Sequence, residues 1–220
     1  MEAPRSTMQT YYAARACEYE SVYQKPERQA DLRQIKQWLP SLVSGATVLE
    51  IACGTCYWTR YIAPVASAVV AIDSAPETLR IAEQRVNSAN VLFQVGDAYA
   101  LTGTGRAFNA AFAGFWFSHV PLERQREFLA GLNAALTPGA RVVLLDNLYV
   151  EGSSSAIAEQ DGHGNTYQYR RLNDGSMHRV LKNFPTEAQL HALAEEGLGK
   201  LPAYRRWQYY WAFEYRVAEL

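Results

Sequence analysis

One stretch in the first quarter of the chain constrains the fold more than any other. Residues 48–51 form an apolar run interrupted by Glu50, and the small residues Ala52, Cys53 and Gly54 follow before helix-like sequence begins. An apolar strand, a tight loop and a helix start are typical of the first strand of a doubly wound α/β domain, where ligands bind at the carboxyl ends of parallel strands. We therefore expect a ligand site at this loop.

Two acidic residues indicate which ligand the loop would hold. Glu50 would repel the pyrophosphate of a dinucleotide but would attract an ammonium or sulfonium group. Residues 69–72 form a second buried-strand pattern, and Asp73 at its end can accept both hydroxyls of a ribose. The pair predicts a nucleoside that carries a positive charge.

With these acids, residues 48–147 resemble the class I S-adenosylmethionine-dependent methyltransferases, whose motifs follow the same order. The resemblance implies an enzyme of the α/β class with a doubly wound, mostly parallel, seven-stranded, Rossmann-like sheet and S-adenosylmethionine as cofactor. It places Asp97 and Ala98 beside the adenine, after a third strand at 91–95. The cofactor-binding residues expected are Tyr11, Arg15, Glu50, Ala52, Cys53, Gly54, Trp58, Asp73, Ser74, Asp97, Ala98 and Phe115.

The chain departs from the family motif at Cys56, where the family has its last glycine. Either Cys56 begins the next helix with its thiol turned away, or its side chain crowds the cofactor, which would leave an impaired cofactor-binding protein. Cys53-Gly54-Thr55-Cys56 also has the spacing of a thioredoxin-like redox centre. That rival function leaves Glu50 and Asp73 unexplained, and two cysteines cannot complete a zinc site, so no metal is expected.

The pattern of elements predicts a single domain, 1–220, in four parts. These are an N-terminal helical lid (6–40), a cofactor-binding core (46–147), a cap insertion (148–184) and a last helix with antiparallel strands (185–220). Helices are expected at 27–39 (closed by Pro40), 57–66, 76–87 (with Ser74 as N-cap), 122–136 and 187–196, and further strands at 108–114 and 141–147. In the cap, two β-like runs around Asn173-Asp174-Gly175-Ser176 predict a hairpin.

Three features make the resemblance specific to one group within the family: the tyrosine-rich start, residues 116–121 and the hairpin. They are similar to the phosphonate O-methyltransferases of dehydrophos biosynthesis and their relatives. This resemblance implies an anionic acceptor held by Arg170 and Lys182, with Trp116 in the substrate pocket and His119, Tyr19 and Tyr23 as catalytic candidates. A phosphonate or carboxylate, which we favour, needs positive anchors, whereas a hydroxyl or amine acceptor would need neutral His119 as base. Both acceptor classes stay open.

The composition agrees with a small substrate. A net charge of -1 provides no basic surface for nucleic acid or an anionic membrane. The N-terminus lacks the apolar core of a signal peptide, and no apolar run approaches the ~18 residues that span a bilayer. The three cysteines suit a reducing compartment. We expect a cytoplasmic monomer or homodimer whose partner is a small methyl acceptor.

Overall fold

The computed structural model describes residues 11, 22–101, 107–195 and 199–218, and within these residues it contains ten strands, five α-helices and three short 3-10 helices (Pro26–Arg28, Phe117–His119 and Leu122–Arg124). The strands are β1 (Thr47–Ile51), β2 (Ala68–Asp73), β3 (Val91–Val95), β4 (Phe108–Gly114), β5 (Leu136–Asn147), β6 (Glu159–Gln160), β7 (Thr166–Arg171), β8 (Met177–Leu181), β9 (Lys200–Arg206) and β10 (Tyr210–Arg216). The helices are α1 (Gln29–Val43), α2 (Thr59–Ile62), α3 (Pro76–Arg85), α4 (Gln125–Ala134) and α5 (Glu187–Leu193).

Seven of the strands form one sheet in the order β3-β2-β1-β4-β5-β10-β9. The strands β1 to β5 pair in parallel, whereas β10 runs antiparallel to both β5 and β9. Four of the five residues of β1 are buried because neighbouring strands flank it and helices cover it, and such strands read as apolar runs. The predicted doubly wound, mostly parallel seven-stranded sheet is confirmed.

Strand order reverses between β1 and β4, which lie side by side although β2 and β3 separate them in the chain. A crevice forms at such a reversal outside the carboxyl ends of the strands. The loops that leave β1, β4 and β5 therefore surround one site.

The helices differ from expectation where packing overrides local signals. Helix α1 buries Leu32, Ile35 and Leu39 as predicted, but it continues through Pro40 to Val43, which is also buried. The energy of burying this last turn against the core outweighs the hydrogen bond that proline removes. The expected end of the helix at Pro40 is therefore wrong.

Other helix ends and one helix cap also differ from expectation; α2, for example, spans only Thr59–Ile62 instead of 57–66. The N-cap of α3 is Ala75 rather than Ser74, because the carboxylate of Asp73 accepts the Ala75 N–H at 2.9 Å. Helix α4 ends at Ala134, so Leu136 belongs to β5 and not to the helix. The capping box between Thr186 and Gln189 at the start of α5 is present as predicted.

The insertion between β5 and α5 folds into a second sheet, in the order β6-β7-β8. Strands β7 and β8 form the predicted hairpin, in which Gly175 takes a φ of 86° in the turn. Arg170 pairs with His178, and alternation along the strands places Arg170 and Lys182 on the same face. We call residues 148–184 the cap.

Candidate functional site

The loop after β1 is held in an unusual backbone conformation. Ala52, Gly54 and Cys56 have φ values of 51°, 57° and 61°, a region that costs a non-glycine residue about 1–2 kcal/mol. Cys56 thus keeps the left-handed conformation that a glycine would favour, and α2 begins only at Thr59. The interpretation that Cys56 starts the helix is wrong, and its side chain is fully buried in the apolar cluster around Trp58.

Glu50 is a buried carboxylate in the middle of the core. Its side chain is only 2% exposed, and Thr59 Oγ1 donates a hydrogen bond to its Oε2 at 2.7 Å. Burial raises the pKa of Glu50 to about 8, although the hydrogen bond from Thr59 opposes this shift. A cationic group brought to Glu50 would stabilise its ionised form and would itself be stabilised.

Asp73 braces the loop from the neighbouring strand. One carboxylate oxygen accepts the backbone N–H of Gly54 and the other that of Ala75, both at 2.9 Å. Burial raises the pKa of Asp73, while these backbone hydrogen bonds lower it. Each carboxylate oxygen has two acceptor positions, so one position on each can still accept a ribose hydroxyl.

The remaining predicted adenine contacts lie after β3, on the same edge of the sheet. Asp97 accepts the backbone N–H of Tyr99 at 2.9 Å, and Ala98 is buried beside it. Around the β1 loop, Thr55 Oγ1 and Trp58 Nε1 are buried without a hydrogen-bond partner among the described residues. Buried polar atoms are normally paired. The acids and these two atoms therefore fit a polar, positively charged nucleoside such as S-adenosylmethionine.

A stack of aromatic rings lies next to this loop. Tyr23 stacks on Tyr57 with ring centroids 3.5 Å apart and on Phe115 with centroids 5.4 Å apart, and Phe115 in turn stacks on Tyr210. Phe115 follows β4 with a φ of 59°, which turns the chain into the crevice. The stack connects the segment before α1 with the β1 loop and the end of β4. Tyr23, a predicted catalytic residue, is therefore beside the cofactor loop.

Beneath the cap lies a cavity of about 330 Å³. It brings together five of the predicted site residues, namely Tyr11, Phe115, His119, Arg170 and Lys182. The described residues that line it include five cations, Lys25, Arg28, Arg170, Arg171 and Lys182, and neither aspartate nor glutamate. Such a lining attracts anions.

Lys182 is joined to the core by a buried ion pair. Its ammonium group, 4% exposed, donates to Asp146 Oδ1 at 2.7 Å and to Ser118 Oγ at 2.5 Å. Burial by itself would raise the pKa of Asp146, but the charge of Lys182 and its hydrogen bond hold it below its usual value. The cap therefore contacts the ends of both β4 and β5 through one side chain.

The same contacts fix the position of His119 and determine which ring nitrogen carries its proton. Its Nδ1 lies 2.5 Å from the carbonyl oxygen of Leu181, which can only accept, so Nδ1 carries the proton. Burial and the charges of Lys182 and Arg170 hold the pKa of His119 well below its usual value. The imidazole is thus neutral near pH 7, and Nε2 carries the ring's lone pair.

Four predicted site residues either are not described or lie where they were not expected. Arg15 and Tyr19 lie outside the described residues. Trp116 is not among the residues that line the cavity, and its ring packs against Tyr99 and Phe128. Tyr11, expected at the cofactor, is buried against Leu172 and Val180 of the cap.

Sequence reasoning missed several residues of the cavity wall, among them Arg28, Asn147 and Ser153. Arg28 donates to Asn147 Oδ1 at 2.7 Å and to Ser153 Oγ at 3.0 Å. Ser153 stands in a run of three serines, a pattern that does not indicate a contact with Arg28. The one local signal that could have indicated Arg28 as a cavity residue was a basic side chain in the segment before α1.

The rival redox function finds no support in the structure. Cys53 and Cys56 are both free and buried. Burial raises the pKa of the Cys53 thiol well above its usual value, whereas redox centres of this spacing lower it.

Among the described residues, no group of three or more potential ligands could hold a metal ion. Within the same residues, no helix has the length and apolar character to cross a membrane.

Comparisons with known proteins agree with the geometry. Residues 48–139 match the family described as a methyltransferase domain. The fold is similar to that of a DhpI–SAH complex, with a TM-score of 0.79, 27% identity and coverage of 97% of both chains. A DhpI–SAM–HEP complex gives a TM-score of 0.78 at 27% identity, covering 94% of this chain and 95% of that one.

A curated relative matches a shorter part of the chain. A demethylmenaquinone methyltransferase of Lactiplantibacillus plantarum is 32% identical over 112 residues, which is 48% of this chain. The match spans 46% of that protein's length, so it concerns the shared domain rather than the whole protein.

Proposed function

The chain belongs to the class I S-adenosylmethionine-dependent methyltransferases, and we propose that it transfers a methyl group to an oxygen of a small acidic molecule. The observation that carries the acceptor class is the cavity under the cap, whose described lining holds five cations and no carboxylate. An acid would interact more favourably with this positive lining than a neutral acceptor would.

The β1 loop and its acids would hold the cofactor. S-adenosylmethionine supplies a methyl group bonded to a positively charged sulfur. In this proposal Glu50 binds the ammonium end, Asp73 the ribose hydroxyls, and Asp97 with the Ala98 backbone the adenine. Tyr23, stacked between Tyr57 and Phe115, would exclude water from the methyl group.

The cap residues would position the acceptor. Arg170 and Lys182 share one hairpin face and line the cavity with His119. An acid is already a nucleophile at neutral pH, so the protein needs to align its oxygen ~3 Å from the methyl carbon rather than remove a proton. Positive anchors suffice for that task.

The state of His119 favours an acid over an alcohol or amine. A base is most effective when its pKa lies near the working pH, and the pKa of His119 is held well below its usual value. Such an imidazole is a weak base for a hydroxyl group.

A methyl-transfer assay tests the proposal. S-adenosylhomocysteine release would be measured with alkylphosphonates, carboxylates, and alcohols and amines of matching shape. We expect turnover with acids and none with their neutral analogues. Turnover confined to alcohols or amines would refute the acidic acceptor, and cofactor binding without any turnover would support the binding protein that Cys56 suggested.

A pair of hairpin variants provides the matched control. Arg170 lines the cavity, whereas Arg179 forms an ion pair with Glu159 at 2.7 Å and is not among the cavity residues. Loss of a charge-assisted contact costs about 1.5–3 kcal/mol, so Arg170→Ala should weaken acceptor binding about ten- to a hundredfold. Arg179→Ala should leave it unchanged, and neither variant should alter cofactor affinity. If both variants weakened acceptor binding equally, the cap would not be part of the acceptor site.

A further inference from the structure

Arg28 is a buried cation with neutral partners. Its side chain is 5% exposed, Nε and Nη2 donate to Ser153 Oγ at 3.1 and 3.0 Å, and Nη1 donates to Asn147 Oδ1 at 2.7 Å. The guanidinium also lies over the rings of Tyr209 and Tyr210, at 5.3 and 5.6 Å from their centroids. Among the described residues no carboxylate forms an ion pair with it. Arginine cannot lose its proton in a protein, so the charge stays.

Arg28 is connected to the other cation of the cavity by a chain of hydrogen bonds. Asn147, which accepts from Arg28, donates from Nδ2 to Asp146 Oδ1 at 3.3 Å, and the same oxygen accepts from Lys182. These hydrogen bonds link two buried cations, Arg28 and Lys182, and one carboxylate, Asp146. Asp146 is paired with Lys182, and the exposed carboxylate of Glu27 accepts a hydrogen bond from Ser153 Oγ at 2.8 Å and attracts Arg28 without forming an ion pair with it. The charge of Arg28 is therefore only partly compensated, which is unfavourable for a buried ion.

Lys25 adds a second positive charge at the same end. Its ammonium donates to the carbonyl oxygen of Ser153, and it lines the cavity with Arg28. We call Lys25, Arg28 and Ser153 the N-terminal pole, and His119, Arg170 and Lys182 the cap pole. Three hydrogen bonds of about 3 Å and one amide group join the two poles, so they lie roughly 11 Å apart at most. A short molecule can reach both.

We propose that the methyl acceptor carries two acidic groups, one bound at the cap pole and the other at the N-terminal pole. The inference rests on the proposed function, because it concerns the same cavity. It adds that Arg28 binds substrate and selects diacids over monoacids. The same charge could instead bind the carboxylate of the cofactor, which is the competing source of an anion.

Calorimetry with matched probes tests this inference. Phosphonocarboxylates with one to four methylene groups between the acids would be compared with alkylphosphonates of equal length, in the presence of S-adenosylhomocysteine. We expect at least one phosphonocarboxylate to bind wild-type protein about tenfold or more tightly than its alkylphosphonate, the gain typical of one charge-assisted contact. Arg28→Gln should abolish that difference, and Arg28→Lys should retain part of it. Arg33→Gln, at an exposed position of α1, should retain all of it.

The outcomes separate this inference from the function on which it rests. Equal binding of both probe classes to wild-type protein, or a difference that persists in Arg28→Gln, would overturn the diacid and leave the acidic acceptor standing. If neither class binds, the acidic acceptor fails as well. If Arg28→Gln weakens S-adenosylhomocysteine but not 5′-methylthioadenosine, which lacks the carboxylate, Arg28 serves the cofactor and the inference is overturned. The wild-type comparison decides alone if Arg28→Gln does not fold.

Discussion

Glu50 should make cofactor binding depend on pH. Burial raises its pKa to about 8, so in the protein without ligand this carboxyl group is mostly protonated at neutral pH. The proposed ammonium partner of the cofactor requires the ionised form. Affinity for S-adenosylhomocysteine should therefore rise with pH until Glu50 is ionised.

The expected size follows from the titration of one group. With a pKa of about 8, roughly one molecule in a hundred is ionised at pH 6 and half at pH 8, so affinity should increase about fiftyfold between them. The stability of the folded chain depends on pH in the opposite direction. The pKa is higher in the folded than in the unfolded chain, so stability from this group is full below about pH 4.5 and falls by about 1.4 kcal/mol per unit up to pH 8.

Calorimetry between about pH 6 and 8 would measure the effect, with 5′-methylthioadenosine as the control ligand because it lacks the ammonium group. Its affinity should stay flat, as should that of S-adenosylhomocysteine for Glu50→Gln. Urea denaturation of Glu50→Gln should lack the stability loss of the wild type over the same range. A pH-independent affinity for S-adenosylhomocysteine in wild-type protein would refute the assignment of Glu50 to the ammonium.

Three substitutions test other parts of the site. Cys56→Gly places a glycine at a left-handed backbone position and removes the thiol. If the thiol crowds the cofactor, calorimetry should show tighter binding of S-adenosylhomocysteine to this variant. Equal or weaker binding would exclude crowding. Asp73→Ala frees two backbone N–H groups of the loop and should abolish that binding; unchanged affinity would remove Asp73 from the site. Lys182→Met leaves Asp146 uncompensated and should cost about 3–5 kcal/mol of unfolding free energy in urea, against under about 1 kcal/mol for Arg170→Ala. Equal losses would contradict the ion pair.

Local sequence patterns predicted those parts of the fold that depend on burial by neighbouring strands. The apolar runs of β1, β2 and β4 could be read directly because parallel strands are covered on both faces. The patterns failed where a distant contact decides a local conformation. Pro40 would end an isolated helix, but packing of Val43 against the core extends α1.

The candidate site shows the same division. The positions of Glu50 and Asp73 beside the β1 loop could be predicted because each stands at the end of a strand whose position follows from the motif. Arg28 could not, since its partners Asn147 and Ser153 lie 119 and 125 residues further along the chain. No local pattern records such a contact. The left-handed backbone at Cys56 was equally hidden, because cysteine rarely adopts it and only the surrounding loop imposes it.

The buried ion pair under the cap limits how this enzyme could be re-engineered. Because the ammonium of Lys182 is compensated by Asp146 and bonded to Ser118, the hairpin is not a self-contained module. Moving residues 148–184 onto another member of the family would bury a lone cation unless both core partners moved with it. If the proposed acceptor site is correct, cap and sheet determine acceptor preference together, and the smallest transplantable unit includes Asp146 of β5 and Ser118 after β4.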